Sequence, residues 1–294
     1  MRLDWLLYGT EVVIVPTPGI PALDRVEIDG LTQDSRTAGP GTIFVAAKGR
    51  RTDGLSYVEA AVQAGAPVVL ADRKVDLPQG VVLLLAENPR RTLGVLAARL
   101  YGEPTQTLDV VGITGTNGKT TGTYLLQNVL QAAGRGCGRV GTVDIDLGAG
   151  GAPTVSTYTT PPADELQRAF REMLTLGTTA AAIEVSSQAL DQERAAGTEF
   201  AAALFTNLTQ DHLDYHGTME AYADSKARLF ELVRPTGFAV INGDDPYAGR
   251  MIGACWCHVT TYGQGPHNAY RATMIQHTAN GNRFRVLYPG GSVD

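Results

Sequence analysis

Three apolar runs set the tightest limit on how this chain can fold. They are AAAIEV at 180–185, AAALFTNL at 201–208 and GFAVING at 237–243. None alternates apolar with polar residues, so none suits a sheet with one wet face; such runs are buried on both sides of a parallel sheet. LDVVGITG (108–115) is a similar run stopped by glycine. The intervening segments read as helices. TGTYLLQNVLQAAG (121–134) carries Leu125, Leu126, Val129, Leu130 and Ala133 on one stripe and stops at Gly134. GRVGTVDIDL follows as a strand, and DELQRAFREMLTLG (164–177) puts Leu166, Phe170, Met173 and Leu174 on an inner face. Strand–helix alternation of this kind predicts an α/β fold, a parallel sheet flanked by helices.

The first hundred residues repeat the pattern on a smaller scale. VEIDGL (26–31), TIFVAAKG (42–49), PVVLA (67–71) and VVLLLA (81–86) read as strands, with helices over 56–65 and 88–102. GEPTQT (102–107) is polar, aperiodic and contains proline, which marks a linker. The 294 residues thus divide into an N-terminal α/β domain over 1–105 and a second over 106–294. Past residue 258, HVTTYG, YRATMIQHT and NRFRVLYP read as a small antiparallel appendix.

Composition excludes several classes. With 18% charged and 44% hydrophobic residues, long disorder is not expected. A net charge of −6 argues against a nucleic-acid partner, which needs a basic surface. Three cysteines form no disulfide framework, and neither a signal peptide nor an apolar run of spanning length is recognisable. A cytoplasmic protein without membrane insertion is the expectation.

Gly115-Thr116-Asn117-Gly118-Lys119-Thr120-Thr121 lies between an apolar run and an amphipathic helix, the context a phosphate-binding loop requires. Glycines let successive N–H groups face phosphate oxygens, and the helix N-terminus adds partial positive charge. Lys119 would reach the β- and γ-phosphates of ATP, and Thr120 would offer its hydroxyl to Mg²⁺. The strict motif wants a glycine where Ile113 stands, so an ordinary strand-to-helix turn is the competing reading. Glu184 ends the AAAI run; it is either a metal-holding acid or an exposed strand end.

Lys226 is out of pattern. GTMEAYADSKARLFELV (217–233) reads as a helix capped by Thr218, and Lys226 falls on the stripe of Tyr222 and Phe230. Spacing alone favours a packed stem with its head in water. The sharper reading is a buried amine, neutral enough to take up CO₂ as a carbamate, which would ligate Mg²⁺ like a carboxylate. In FTNLTQDHLDYHG (205–217), His212 and His216 have zinc-like spacing, but the strand before them, Asp211 and Asp214, and Gly217 argue against a helical zinc site. Cys255-Trp256-Cys257-His258 lacks a second cysteine pair and reads as a buried strand with reduced thiols.

Together these motifs resemble the Mur ligases, which build the peptide stem of peptidoglycan, and most closely their MurE branch. DSR (34–36), GTIFVAAKG (41–49) and DG (53–54) appear in the first half. TGTNGKTT (114–121), TTPPADELQ (159–167), EVSSQAL (184–190) and NLTQDHLDYHG (207–217) follow in family order, then the helix with Lys226. The resemblance implies catalytic roles for Lys119, Glu184, His212 and Lys226. ATP phosphates would lie on Gly115 to Thr121. Mg²⁺ would lie on Thr120 and Glu184, and a second Mg²⁺ between Glu184, His212 and carbamylated Lys226. Ser35, Arg50, Arg51 and Thr52 match contacts to the UDP sugar. Thr159, Thr160, Ser186, Gln192 and Arg194 match contacts to the muramoyl peptide.

The implied reaction is ATP-driven amide formation in cell-wall synthesis. A diamino acid (lysine, meso-diaminopimelate or ornithine) is joined to UDP-MurNAc-L-Ala-D-Glu through an acyl phosphate, by a monomer. Gln188 stands where many relatives have histidine. The family's third, C-terminal domain, which selects the amino acid, is not seen before Asp294. Glu87-Asn88-Pro89-Arg90 resembles that domain's motif but opens a helix in the first domain and is assigned no such role. A P-loop kinase or switch NTPase, a binding-only paralogue, and another amide ligase such as folylpolyglutamate or cyanophycin synthetase are the alternatives.

Overall fold

A computed structural model describes residues 1–49, 52–148, 150–279 and 281–294. The chain forms two compact units. One is Met1–Pro104 with Pro162–Arg171 and Gln192–Thr198; the other is Thr105–Pro161 with Glu172–Asp191 and Glu199–Asp294. No helix among the described residues is long and apolar enough to cross a membrane.

The first unit runs α1 (Leu3–Leu7), β1 (Val13–Val15), β2 (Gly30–Thr32), β3 (Thr42–Ala46), α2 (Val58–Gln63), β4 (Val68–Ala71), β5 (Val82–Leu85) and α3 (Pro89–Leu100). Its sheet has the order β1-β5-β4-β3-β2, parallel except for β1. Both faces are dry. Ile43, Val45, Val68, Leu70, Val82 and Leu84 pack with Leu93 and Leu96 of α3, while Phe44, Val69 and Leu83 pack with Val58 and Ala61 of α2. This is why these strands read as unbroken apolar runs. Only Gly30–Thr32 of the expected 26–31 strand is strand; Val26 and Ile28 instead hold the N-terminus through Leu3 N–H to Val26 O (2.8 Å) and Ile28 N–H to Met1 O (2.8 Å). Asn88 caps α3 by accepting from Arg91 N–H (3.1 Å), with Pro89 at the first helical position, so 87–90 is a helix start.

The second unit begins with β6 (Asp109–Thr114), α4 (Lys119–Ala132), β7 (Cys137–Val140), β8 (Asp144–Asp146) and β9 (Thr154–Val155). Helix α5 (Ala163–Thr175), whose residues up to Arg171 group with the first unit, buries Leu166, Phe170 and Met173. Next come β10 (Ala180–Glu184), α6 (Ser187–Asp191), β11 (Phe200–Phe205), α7 (Leu213–His216), α8 (Met219–Glu231), β12 (Val233–Asn242), α9 (Ala248–Gly253), β13 (His258–Gly263), β14 (Tyr270–Thr278), β15 (Gly281–Tyr288) and β16 (Gly291–Val293). Among the described residues the sheet order is β16-β15-β14-β13-β12-β11-β6-β10-β7-β8-β9. Strands β7, β10, β6, β11, β12 and β13 are parallel, as the apolar runs require.

Four expectations need correction. GRVGTVDIDL is not one strand: it turns at Gly141–Val143 into the antiparallel pair β7–β8. HVTTYG belongs to the parallel sheet, reached through α9, whose one and a half turns are too short for a clear periodic signal. Only β14–β16 form the antiparallel appendix. The Cys255–Cys257 segment is a loop between α9 and β13, half-buried at both cysteines, with Trp256 80% exposed.

The fourth concerns α4. Leu125 and Val129 are 62% and 64% exposed. The face on the sheet is Gly122, Thr123, Leu126, Gln127 and Leu130: Gly122 packs on Ile113, and Leu126 and Leu130 pack on Cys137, Ala180 and Ala182. Gln127 is buried because its amide donates to Cys137 O (3.0 Å) and Asp146 Oδ2 (2.8 Å). The helix starts in the glycine loop, and the loop sets its rotation; polar residues that find partners displace apolar ones from the inner face. Truncation tests this face: Leu126→Ala, which removes the contact with Ala180 and Ala182, should lower unfolding free energy by about 1–3 kcal/mol. Leu125→Ala should change it by less than about 0.5 kcal/mol, both read by urea denaturation.

Candidate active site

The carboxyl ends of the parallel strands of the second unit carry the site. Register places Ile113 of β6 opposite Glu184 of β10, and Thr114 opposite Phe205 of β11. The loop after β6 is therefore flanked by the ends of both neighbours. Gly115 has φ +149°, and a Cβ there would lie 1.9 Å from Thr206 Oγ1; Gly118, with φ +86°, is the N-cap of α4. The end of β11 clamps this loop. Thr116 N–H donates to Asn207 O (2.8 Å), Asn117 N–H to Asn207 Oδ1 (3.0 Å), and Thr206 Oγ1 to Asn117 O (2.7 Å). What remains open is a helix N-terminus whose first amides have no intrahelical acceptor, the geometry that takes an anion. The Ile113 departure from the strict motif is thus accommodated: the loop is a built turn held from β11.

Glu184 is 1% exposed. Its carboxylate accepts from Thr120 Oγ1 (2.9 Å), Thr142 N–H (2.9 Å) and Thr142 Oγ1 (3.2 Å). Gly141 has to be glycine, since a Cβ there would lie 2.2 Å from Glu184 Oε1. Among the described residues no cation pairs with this buried carboxylate, and burying an unpaired charge is costly. A hydroxyl and two carboxylate oxygens, at the mouth of an anion-binding loop, are a hard-oxygen set that fits Mg²⁺.

Two lysines converge beside it. Lys119 Nζ donates to Gly115 O (2.9 Å) and Thr116 O (3.0 Å), and Lys226 Nζ donates to Gly115 O (2.8 Å). Lys226 is 1% exposed, so the snorkelling alternative is set aside. Burial, then the positive charge of Lys119, push the Lys226 amine down to about 7, against the pull of Asp211. Burial also lowers Lys119, opposed by Glu184 and Asp211. The stem of Lys226 comes from α8, capped as expected by Thr218 accepting from Ala221 N–H (3.1 Å), and its Nζ lies 4.5 Å from the Tyr222 ring centroid. An amine held near neutrality beside a loop carbonyl is chemically ready to add CO₂.

His212 begins the short turn α7 with φ +51°, a left-handed conformation costing a non-glycine residue about 1–3 kcal/mol. Its ring is half exposed, 3.5 Å from Asp211 and edge-on to Tyr222. His216 turns elsewhere, its Nε2 2.9 Å from Ser187 Oγ. Glu184, His212 and Lys226 share this end of the sheet without touching one another.

The other expected substrate residues divide. Thr159 Oγ1 lies 3.1 Å from Thr142 Oγ1, and Thr160, 1% exposed, donates to Glu184 O (2.8 Å). Ser186 caps α6, accepting from Ala189 N–H (3.2 Å). All three line the Glu184 loop of the second unit. Ser35, Thr52, Gln192 and Arg194 belong to the first unit, where Arg194 donates to Gln192 Oε1 (2.7 Å). Arg50 and Arg51 lie outside the described residues. Sequence reasoning missed Thr142, Thr206 and Asn207 as site residues, and did not foresee that His216 and Tyr222 pack beside them. The glycine ending VGT was the available signal for Thr142; the others needed the sheet order.

Comparison with known proteins identifies the family. Residues 113–294 match the Mur ligase middle domain, and residues 27–101 the catalytic domain of the Mur ligase family. The chain is 40% identical over 286 residues to a UDP-N-acetylmuramoyl-L-alanyl-D-glutamate–2,6-diaminopimelate ligase of Caldanaerobacter subterraneus subsp. tengcongensis, covering 97% of this chain and 57% of that protein. It is 41% identical over 278 residues to the ligase of the same name from Parasynechococcus marenigrum, covering 90% and 55%. A solved structure of a ligase with that name superposes with a TM-score of 0.84 at 28% identity, over 100% of this chain and 58% of the other. MurF from Acinetobacter baumannii, at 20% identity and a TM-score of 0.63 over 99% of this chain and 59% of its own, shares the fold. The chain spans somewhat more than half the length of the curated relatives it matches. On the sequence match across both units, this chain belongs to the Mur ligase family.

Proposed function

We propose that this chain carries the nucleotide-substrate and ATP-binding parts of a MurE-type ligase. The whole protein would join 2,6-diaminopimelate, the amino acid in its relatives' names, to UDP-MurNAc-L-Ala-D-Glu in the cytoplasm. The observation that carries this proposal is Lys226. A kinase or switch NTPase shares a glycine loop and a strand-end acid, but has no use for a buried, near-neutral amine bonded to the loop's own carbonyl.

The roles follow from position. The amides at the start of α4 and the Lys119 ammonium seat the ATP phosphates, Lys119 exchanging its loop carbonyls for phosphate oxygens. Thr120 and Glu184 would hold Mg²⁺; Glu184, His212 and Lys226 as its carbamate would hold a second. Bound there, Mg²⁺ supplies charge neutralisation between two anions, the D-glutamyl carboxylate and the γ-phosphate. Thr142 and Thr160 fix Glu184 from its side chain and its carbonyl, so the carboxylate is oriented before any ligand arrives. Transfer of the γ-phosphoryl group to the carboxylate would leave ADP and an acyl phosphate, and attack by the diamino acid's amine would form the amide and release inorganic phosphate. Ser35, Arg50, Arg51 and Thr52 would bind the UDP sugar, and Thr159, Thr160, Ser186, Gln192 and Arg194 the peptide.

Calorimetry tests the assignment. UDP-MurNAc-L-Ala-D-Glu should bind this chain with Mg²⁺ present, and UDP-MurNAc-L-Ala should bind more weakly; equal binding, or none in a folded chain, overturns it. Lys119→Ala should weaken binding of a non-hydrolysable ATP analogue at least ~10-fold, about 1.4 kcal/mol. In the complete ligase Lys226→Ala should lower kcat by about 100-fold or more, partly restored by acetate, and ¹³C-labelled CO₂ should give a carbamate resonance lost in that variant.

The Lys226 shift also sets a pH dependence. Its folded value, about 7, lies below the ordinary 10.5, so between them the unfolded chain binds more protons. Stability should therefore rise with pH from about 7 towards 10.5; the gain is lost progressively as pH falls through that window, and below about 7 this group adds no further change. Lys226→Met should flatten that rise in urea melts taken without ligand.

A further inference from the structure

Tyr222 is 1% exposed, and its contacts run in four directions. Its hydroxyl lies 3.3 Å from Thr116 Oγ1 in the glycine loop. Lys226 Nζ sits over its ring, and His212 meets it edge-on at 6.1 Å between centroids. The His216 ring stacks against it at 5.0 Å and 27°. His216 in turn places Nε2 2.9 Å from Ser187 Oγ, and Ser187, 2% exposed, stands beside Ser186 in the loop that follows Glu184. Ser225 of α8 donates to Ser187 O (2.7 Å), tying that loop to the same helix.

The direction of the Tyr222 bond can be worked out from the proton count. Thr116 Oγ1 has one proton, which goes to Thr209 O (3.2 Å), while the oxygen accepts from Thr209 N–H (3.0 Å). The phenol must therefore donate to Thr116. Burial pushes the Tyr222 hydroxyl up, which keeps that proton in place. Two stacked rings with a hydrogen bond at each far end thus run without a gap from the glycine loop to the serine loop. Packing explains why the rings are buried. It does not explain why one ends in a hydroxyl on Thr116 and the other in a ring nitrogen on Ser187.

We propose that Tyr222 and His216 are positioning residues that couple the phosphate-binding loop to the acceptor loop, so that nucleotide bound at Gly115–Thr121 orders Ser186 and Ser187 for the acceptor carboxylate. This rests on the functional reading above. Phosphoryl transfer needs donor and acceptor in line, and a stiff link between the two loops makes each ligand favour the other's site. Packed side chains and hydrogen bonds run from one loop to the other, the kind of connection that carries coupling.

Two variants keep the ring stack and delete one terminal hydrogen bond each: Tyr222→Phe and His216→Phe. Calorimetry on the folded wild-type chain first measures a non-hydrolysable ATP analogue with Mg²⁺ and UDP-MurNAc-L-Ala-D-Glu separately, then each in the presence of the other. Each ligand should tighten the other by the same factor, about fivefold or more. In either variant that factor should fall towards one, with single-ligand affinities within about twofold of wild type. The double variant should lose no more than either single one, because the bonds act in series. Absence of coupling in the wild type, or coupling that survives in both variants with unchanged melting temperatures, overturns the proposal. A wild type that binds neither ligand alone overturns the functional reading itself, and is recognised before any coupling is measured.

Discussion

Two lysine side chains share one carbonyl oxygen, that of Gly115, and much of the site is arranged around that fact. Two ammonium groups cannot sit so close in a water-poor place unless one is neutral or negative charge is close by. Both responses are present. Lys226 is held near neutrality, Glu184 and Asp211 offset the charge of Lys119, and Asp211 that of Lys226. The N-terminus of α4 adds further positive potential. The result is a cluster of donors and cations at a helix N-terminus, the kind of place that takes an anion.

The fold delivers this arrangement through strand order. Placing β10 on one side of β6 and β11 on the other brings an acid and a clamp to the same loop from segments far apart in the chain. Glu184 arrives already bonded to Thr120 and Thr142, and Thr206 and Asn207 hold the loop backbone. Because these contacts are made by short side chains on strand ends, the site is stiff where chemistry needs fixed geometry. Tyr222 and His216 extend that stiffness along α8 and α7 to the serine loop.

Much of this was legible in the residues. The apolar runs predicted parallel strands on both units, the expected cap Thr218 acts as one, and Lys226 stood out as a charge on an apolar stripe. The failures share a cause. On α4, amphipathic spacing pointed Leu125 and Val129 inward, but Gln127 found two buried partners and took the inner face. Across GRVGTVDIDL, continuous β-propensity hid a turn whose Thr142 amide serves Glu184. In each case a polar group was satisfied by a residue distant in sequence, which local periodicity does not register.

By itself the sequence determined the class of fold, the glycine loop between strand and helix and the identity of its charged residues, because these depend on local pattern and on chemistry carried by single side chains. Tertiary structure alone decided which groups meet: that Lys226 shares a carbonyl with Lys119, that Glu184 rests on Thr142, and that Tyr222 bonds to Thr116. Those contacts join residues as many as 111 positions apart. They exist because a buried parallel sheet leaves its strand ends as the place where polar side chains can find one another, and the order of strands, not the order of residues, chooses the neighbours.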